Sequence, residues 1–200
     1  MCLGYGGEGG AYAVVGIMLG WFGATALAAH QVVNAILGIA YVIPLGLAGA
    51  AAIRVGQATG ARSAERLRAI LAAGLIIVTS WQVAVAAIFV IGGGAFAAML
   101  SNDPEVVALA AILFVVVALA QIVDGVQSTA LGALRGMRDN TGPTVITLIV
   151  YWALALPTAY VVGVVLGFGP LGVWWGYAGG IAVAAVVLPW RFWRQTAPAL

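Results

Sequence analysis

Long uncharged stretches dominate this sequence and constrain its fold more than any other feature. Residues 9–29, 31–53 and 69–100 contain no Asp, Glu, Lys or Arg, and residues 106–134 contain one charge before Arg135, Asp124. Residues 140–190 are again uncharged, and the breakers in "GFGPLG", Gly167 to Gly172, divide them. About 20 apolar residues suffice to cross a bilayer as a helix, so six spanning segments are expected. Composition agrees: 64% of the 200 residues are hydrophobic and 7% charged, at a mean hydropathy of +1.13. A soluble domain carries about 25% charged residues. The fold class expected is an all-α integral membrane protein, one lobe of six transmembrane helices over 1–200. The segments are placed at about 5–29, 31–53, 69–97, 105–134, 142–166 and 170–191.

The basic residues orient such a bundle. All eight are arginines. Arg54, Arg62, Arg66 and Arg68 follow the second segment, Arg135 and Arg138 the fourth, and Arg191 and Arg194 the sixth. The opposite connections hold His30, Asp103 and Glu105. Short loops rich in Arg or Lys face the cytoplasm, so both termini are expected there. Trp21 and Phe22 near the outer end of the first segment, and Trp190, Phe192 and Trp193 at the inner end of the last, suit interfacial belts. Trp81 and Trp152 lie deeper, where packing is the ordinary explanation. The opening residues lack the positive n-region and cleavage pattern of a signal peptide, so the first apolar run is read as a spanning helix.

Two of the six acidic residues stand out. Glu65 and Asp139 share loops with arginines, and Asp103 before Pro104 suits the N-cap of the fourth helix. Asp124 instead lies well inside its segment, where an aspartate costs roughly 2.5–3.5 kcal/mol. Gln121, Asp124, Gln127 and Ser128 fall on one helical face. Such a polar stripe either glues helices together through hydrogen bonds or marks an ion or proton pathway. Glu8 is either a carboxylate at the cytoplasmic surface or a deep partner of Asp124. His30, read as ending the first helix on the outer side, is a polar anchor or cap in the ordinary case and a proton-transfer group in the other. Pro44 can kink its helix and gate a cavity; Pro143 and Pro157 can do the same. GxxxG spacings, Gly16 with Gly20 and Gly163 with Gly167, are too common in so glycine-rich a chain to select a helix pair.

Several functions are excluded. With one His, one Cys and no Lys there is no nucleophile–base pair, metal-ligand cluster or phosphate loop, so no enzyme is expected. Nor is a nucleic-acid partner, because the arginines are scattered topogenic charges.

The stretches "LAAHQVVNAILGIAYVIPLGLAGAAAIRVGQATGA", "LGALRGMRDNTGPTVITLIVYWALALPTAYVV" and "GPLGVWWGYAGG" closely resemble the multidrug and toxic compound extrusion (MATE) family, in particular its NorM-like branch. The resemblance covers nearly the whole chain. It implies two six-helix lobes around a central cavity, of which this chain is similar to the second, helices seven to twelve. It further implies that Glu8, 22 residues before His30, and Asp124, before the "LRG" signature, bind the coupling cation. That cation is Na⁺, held by Glu8 and Asp124 as metal ligands, or H⁺, and no other cofactor is implied. Some relatives carry a tyrosine one turn before the aspartate, where this chain has Ala120.

The expected function is cation-coupled efflux of organic, often cationic, compounds across the cell membrane. The expected partners are the lipid bilayer and a second six-helix lobe, either a missing N-terminal half or another chain. The seventh helix of relatives starts well before this glutamate, so a chain cut within that helix is expected, or a half-transporter. The alternatives are a flippase for lipid-linked saccharides, whose cavity basic residues would line, and a non-transporting membrane partner or inert truncation product.

Overall fold

A computed structural model of the chain describes residues 2–60 and 63–197. Those residues form six consecutive helices: α1 (Cys2–Gly20), α2 (Ala24–Gly60), α3 (Ala64–Leu100), α4 (Pro104–Gly136), α5 (Thr141–Val165) and α6 (Gly169–Gln195). The helices α2 to α6 are long and apolar enough to cross a membrane. Arg62 lies outside the described residues.

The helix boundaries follow local chemistry. Ser63 caps α3, its hydroxyl accepting from the Arg66 amide at 3.3 Å. Asp103 caps α4 as expected, accepting from the Glu105 amide at 2.9 Å, with Pro104 in the first turn where a missing N–H costs nothing. The break between α1 and α2 departs from expectation. It falls at residues 21–23 and not at His30, which lies inside α2. Gly23 has φ of +103°, a left-handed conformation that favours glycine, whereas the alanines and leucine of 24–29 are good helix formers that carry the helix through His30. Neither His30 nor Pro44 therefore marks a helix end.

Helix α5 is not uniformly α-helical. It widens to a π-helical register over Val150–Ala155 and again over Val161–Val165. In the first of these the Leu156 amide donates to the Tyr151 carbonyl, five residues back. Pro157 directly follows, and it has no N–H for the carbonyl one α-helical turn before it. Such widened turns recur at functional sites, and this one carries Tyr151.

Helix α4 runs through the middle of the bundle, packed on α2, α3 and α6. Its crossing with α2 has no room for side chains: a Cβ on Gly132 would stand 2.2 Å from the Ala48 carbonyl oxygen, and one on Gly136 2.4 Å from that of Ala52. Gly176 and Gly180 do the same for α6 against Thr158 and Ala155 of α5. Of Gly16, Gly20, Gly163 and Gly167, only Gly163 makes such an approach, against Val173; a Cβ on Gly20 or Gly167 would meet nothing within 4 Å. In lipid, where burial of apolar surface does not favour one helix pair over another, close backbone approach of this kind supplies the packing.

The apolar core is in two parts. One includes Val15, Val33, Phe114 and Trp174, and the other Val55, Leu71, Leu134 and Phe192. Between them along α3 and α4 lie the buried polar side chains Gln82, Gln121, Gln127, Ser128 and Thr129. The outside of the bundle is apolar, Ile91 being 86% exposed. Trp190 and Trp193 sit on that outside, but Phe192 is fully buried in the core. Trp81 and Trp152 are each more than a third exposed, at 37% and 48%, so burial does not account for them. The arginine-bearing ends meet: Arg68 donates to the Thr196 hydroxyl at 3.2 Å, and Arg191 pairs with Asp139 at 2.8 Å.

Candidate functional site

Glu8 reaches the interior because its neighbours are small. A Cβ on Gly7 would stand 2.2 Å from Leu148, and one on Gly10 3.4 Å from the Trp152 ring, so α1 lies directly on α5 there. The Trp152 indole N–H donates to the Gly7 carbonyl at 3.1 Å. Glu8 then faces a cavity of about 330 Å³ between α1, α2, α4, α5 and α6. Asp124 and Gln121 line it from α4, Tyr12 from α1, Asn34 and Tyr41 from α2, Tyr151 from α5, and Trp174 and Tyr177 from α6. Ala120, one turn before Asp124, adds only a methyl group to that wall.

The polar groups of this cavity are incompletely paired. Glu8 Oε1, Gln121 Nε2 and Trp174 Nε1 are buried without a hydrogen-bond partner. An unpaired carboxylate oxygen in a low-dielectric setting is costly unless a cation or a proton completes it. The Glu8 and Asp124 carboxylates are close enough to repel one another, and the Arg135 charge also reaches Glu8. Asp124 accepts from the Tyr151 hydroxyl, which in turn accepts from Gln127 Nε2 at 2.8 Å. Gln127 thus stands behind Tyr151 and orients it.

The expected polar stripe divides accordingly. Gln121 and Asp124 face the cavity, Gln127 acts through Tyr151, and the Ser128 hydroxyl donates back to the Gly125 carbonyl at 3.1 Å. Gln82 of α3 closes the rear of α4, donating to the Gln121 carbonyl at 2.6 Å. His30 is 2% exposed and lies behind the cavity wall, its ring 5.6 Å from that of Trp174. Its Nε2 accepts from the Asn34 amide at 2.9 Å, and the Tyr12 hydroxyl donates to the oxygen of the same Asn34 side chain. Pro44 is buried away from the cavity.

The donor set is oxygen-rich. Among the described residues no three His, Cys, Asp or Glu side chains come together as metal ligands. Two carboxylates with surrounding phenol and amide oxygens suit a hard cation, which prefers oxygen ligands. Tyr12, Asn34, Tyr41, Tyr151, Trp174 and Tyr177 were not singled out from the sequence. Two of them had a local signal, since Tyr12 follows Glu8 and Asn34 follows His30 by four residues, one helical turn.

Comparison with known proteins agrees with this architecture. The family model MatE matches residues 7–161. A probable multidrug resistance protein NorM of Xanthomonas campestris pv. campestris is 37% identical over 189 residues, covering 94% of this chain and 41% of that protein. The multidrug resistance protein NorM of Burkholderia vietnamiensis is 37% identical over 199 residues, covering 96% of this chain and 43% of that protein. The chain thus spans about two fifths of the length of the curated relatives it matches. Among solved structures, an outward-facing multidrug resistance MATE family transporter of the MOP superfamily superimposes with a TM-score of 0.86 at 17% identity. That match covers the whole of this chain and 46% of the other. A MATE crystal structure in complex with MaD3S gives 0.87 at 18% identity, covering 98% of this chain and 44% of the other. At these identities the structural matches establish the fold.

Proposed function

Because this chain belongs to the MatE family, we propose that it forms one six-helix lobe of a secondary active multidrug efflux transporter in the plasma membrane. It exchanges a coupling cation, Na⁺ or H⁺, for organic and often cationic compounds. The observation that carries this reading is the buried, unpartnered Glu8 Oε1 facing Asp124 across a cavity between membrane helices. Carboxylates inside a membrane mark ion and proton pathways as a rule.

The lining residues divide the work. Glu8 and Asp124 hold positive charge, whether proton, Na⁺ or drug. Tyr151, oriented by Gln127, keeps the Asp124 carboxylate in place. Tyr12, Trp174 and Tyr177 offer aromatic faces, on which organic cations bind favourably. A coupling cation and a cationic drug that compete for the same two carboxylates cannot occupy them together, so inward cation movement drives drug release outward. Alternating access arises by rocking of two lobes around the shared cavity, which requires a second six-helix unit, from the same polypeptide or another. The arginine-bearing ends face the cytoplasm under the positive-inside rule. Among the described residues the lining includes acidic side chains and no basic one, which disfavours a phosphate-bearing lipid-linked saccharide as cargo.

Reconstitution of the two-lobe transporter in proteoliposomes tests this. Efflux of a fluorescent organic cation is measured under an imposed Na⁺ or pH gradient. Asp124→Asn and Glu8→Gln are each expected to abolish gradient-driven efflux while membrane insertion persists. Efflux at the unaltered rate in both variants overturns the coupling role.

A further inference from the structure

We propose that the Tyr12 phenolic oxygen is a third, uncharged ligand of a Na⁺ site formed with Glu8 and Asp124, held as an acceptor by Asn34 and His30. The inference rests on the reading that those two carboxylates bind the coupling cation. It concerns the hydroxyl of Tyr12, whose ring already lines the cavity.

An asparagine side chain is directional: its oxygen accepts and its nitrogen donates. In this orientation of the amide, Asn34 Nδ2 donates to His30 Nε2 at 2.9 Å, so the neutral imidazole carries its proton on Nδ1, which is buried without a partner. The opposite end of the same amide, Asn34 Oδ1, then faces Tyr12 and takes the hydroxyl proton. A phenol has one proton to give. With it committed to Asn34, what the Tyr12 oxygen has left to offer is lone pairs. Tyr151 contrasts with it, because its proton goes to Asp124 and its oxygen accepts from Gln127.

Position agrees with polarity. Tyr12 follows Glu8 by one helical turn, so both side chains leave the same face of α1. Its oxygen lies within electrostatic reach of Asp124. The ring is fixed from three sides, 5.8 Å from His30, 6.0 Å from Trp174 and 6.2 Å from Tyr177 between centroids. His30 is itself enclosed, being buried with its ring against Trp174. His30 does not line the cavity, so it acts as a positioning residue through Asn34 and Tyr12.

Equilibrium binding of radioactive Na⁺ to the purified transporter that carries this chain tests the inference without any transport measurement. Tyr12→Phe keeps the ring and removes the oxygen, and is expected to weaken Na⁺ binding about tenfold, the scale of a contact to a charged group. Asn34→Leu, which frees the Tyr12 proton, is expected to weaken it as well, and serves if Tyr12→Phe does not fold. His30→Phe combined with Tyr12→Phe is expected to bind no more weakly than Tyr12→Phe alone, because the histidine works through that oxygen. Additive losses in the double variant overturn the relay. If Asp124→Asn abolishes Na⁺ binding while Tyr12→Phe and Asn34→Leu leave it unchanged, the third ligand is wrong and the carboxylate reading stands. If unaltered protein and Asp124→Asn bind Na⁺ alike, or neither binds it, these carboxylates form no Na⁺ site and the third ligand is overturned, while the carboxylate reading, which also admits H⁺, is decided by the efflux of Asp124→Asn and Glu8→Gln.

Discussion

Trp152 of α5 donates its indole N–H to the Gly7 carbonyl of α1 at 3.1 Å, one residue before Glu8. The bond joins residues 145 positions apart, and it sits where two glycines let α1 lie against α5. It is therefore a tether on the helix that presents the cavity glutamate.

Trp152→Phe removes the donor and keeps most of the ring. A hydrogen bond of this kind contributes about 0.5–1.5 kcal/mol net. The variant is expected to bind the coupling cation up to about tenfold more weakly, with expression and the unfolding midpoint in detergent little changed. Titration of the purified variant with Na⁺ or with acid checks this, and an unaltered affinity dismisses the tether.

The α2–α4 crossing is expected to be the least tolerant place for added volume. Gly132→Ala would put a methyl group 2.2 Å from the Ala48 backbone oxygen, which cannot swing aside as a side-chain tip can. Overpacking of this kind costs about 1–3 kcal/mol. Gly49→Ala, on the same pair of helices, meets nothing within 4 Å and is expected to be neutral or slightly stabilising. Thermal unfolding in detergent separates the two, and equal midpoints contradict the close packing.

Asp139 gives the bundle an acid-sensitive latch. Partial burial pushes its carboxyl up, but hydrogen bonds from Arg191 and Gln195, the Arg191 charge and the Gly142 amide outweigh this and hold its pKa below the ordinary value. A carboxyl with a depressed folded-state pKa stabilises fully above its unfolded value, about 3.9. That contribution is lost as pH falls through the lower folded value. The pair is partly exposed, so its worth is within about 1 kcal/mol. Asp139→Asn is expected to lower the unfolding midpoint at pH 6 and to converge with the unaltered protein near pH 3. A deficit that persists undiminished at pH 3 rules out the charge as its source.

Much of the architecture is legible in residue order because the bilayer imposes it. Uncharged length marks a span, arginine placement marks a side, and the cost of an aspartate at mid-helix sets Asp124 apart from the other acidic residues. Boundaries were less legible. His30 looks like a helix end when polarity is the only guide, yet the turn lies at Gly23, whose left-handed backbone no hydropathy pattern reveals. The glycines are similar: Gly16 with Gly20 and Gly132 with Gly136 share GxxxG spacing, and of these two pairs Gly132 and Gly136 make the tight crossing. Spacing says which glycines share a face, and only the neighbouring helix says whether that face is used.

The sequence by itself determined the class of protein, the apolar runs and the placing of two carboxylates, Glu8 and Asp124, along them. Tertiary structure decided which neutral side chains surround them. Helices that are apolar on every side carry no amphipathic stripe to say which way each residue turns. Tyr12, Asn34, Tyr151, Trp174 and Tyr177 come from four different helices. They meet at Glu8 and Asp124 because close packing, glycine contacts and a π-helical stretch rotate those helices into place.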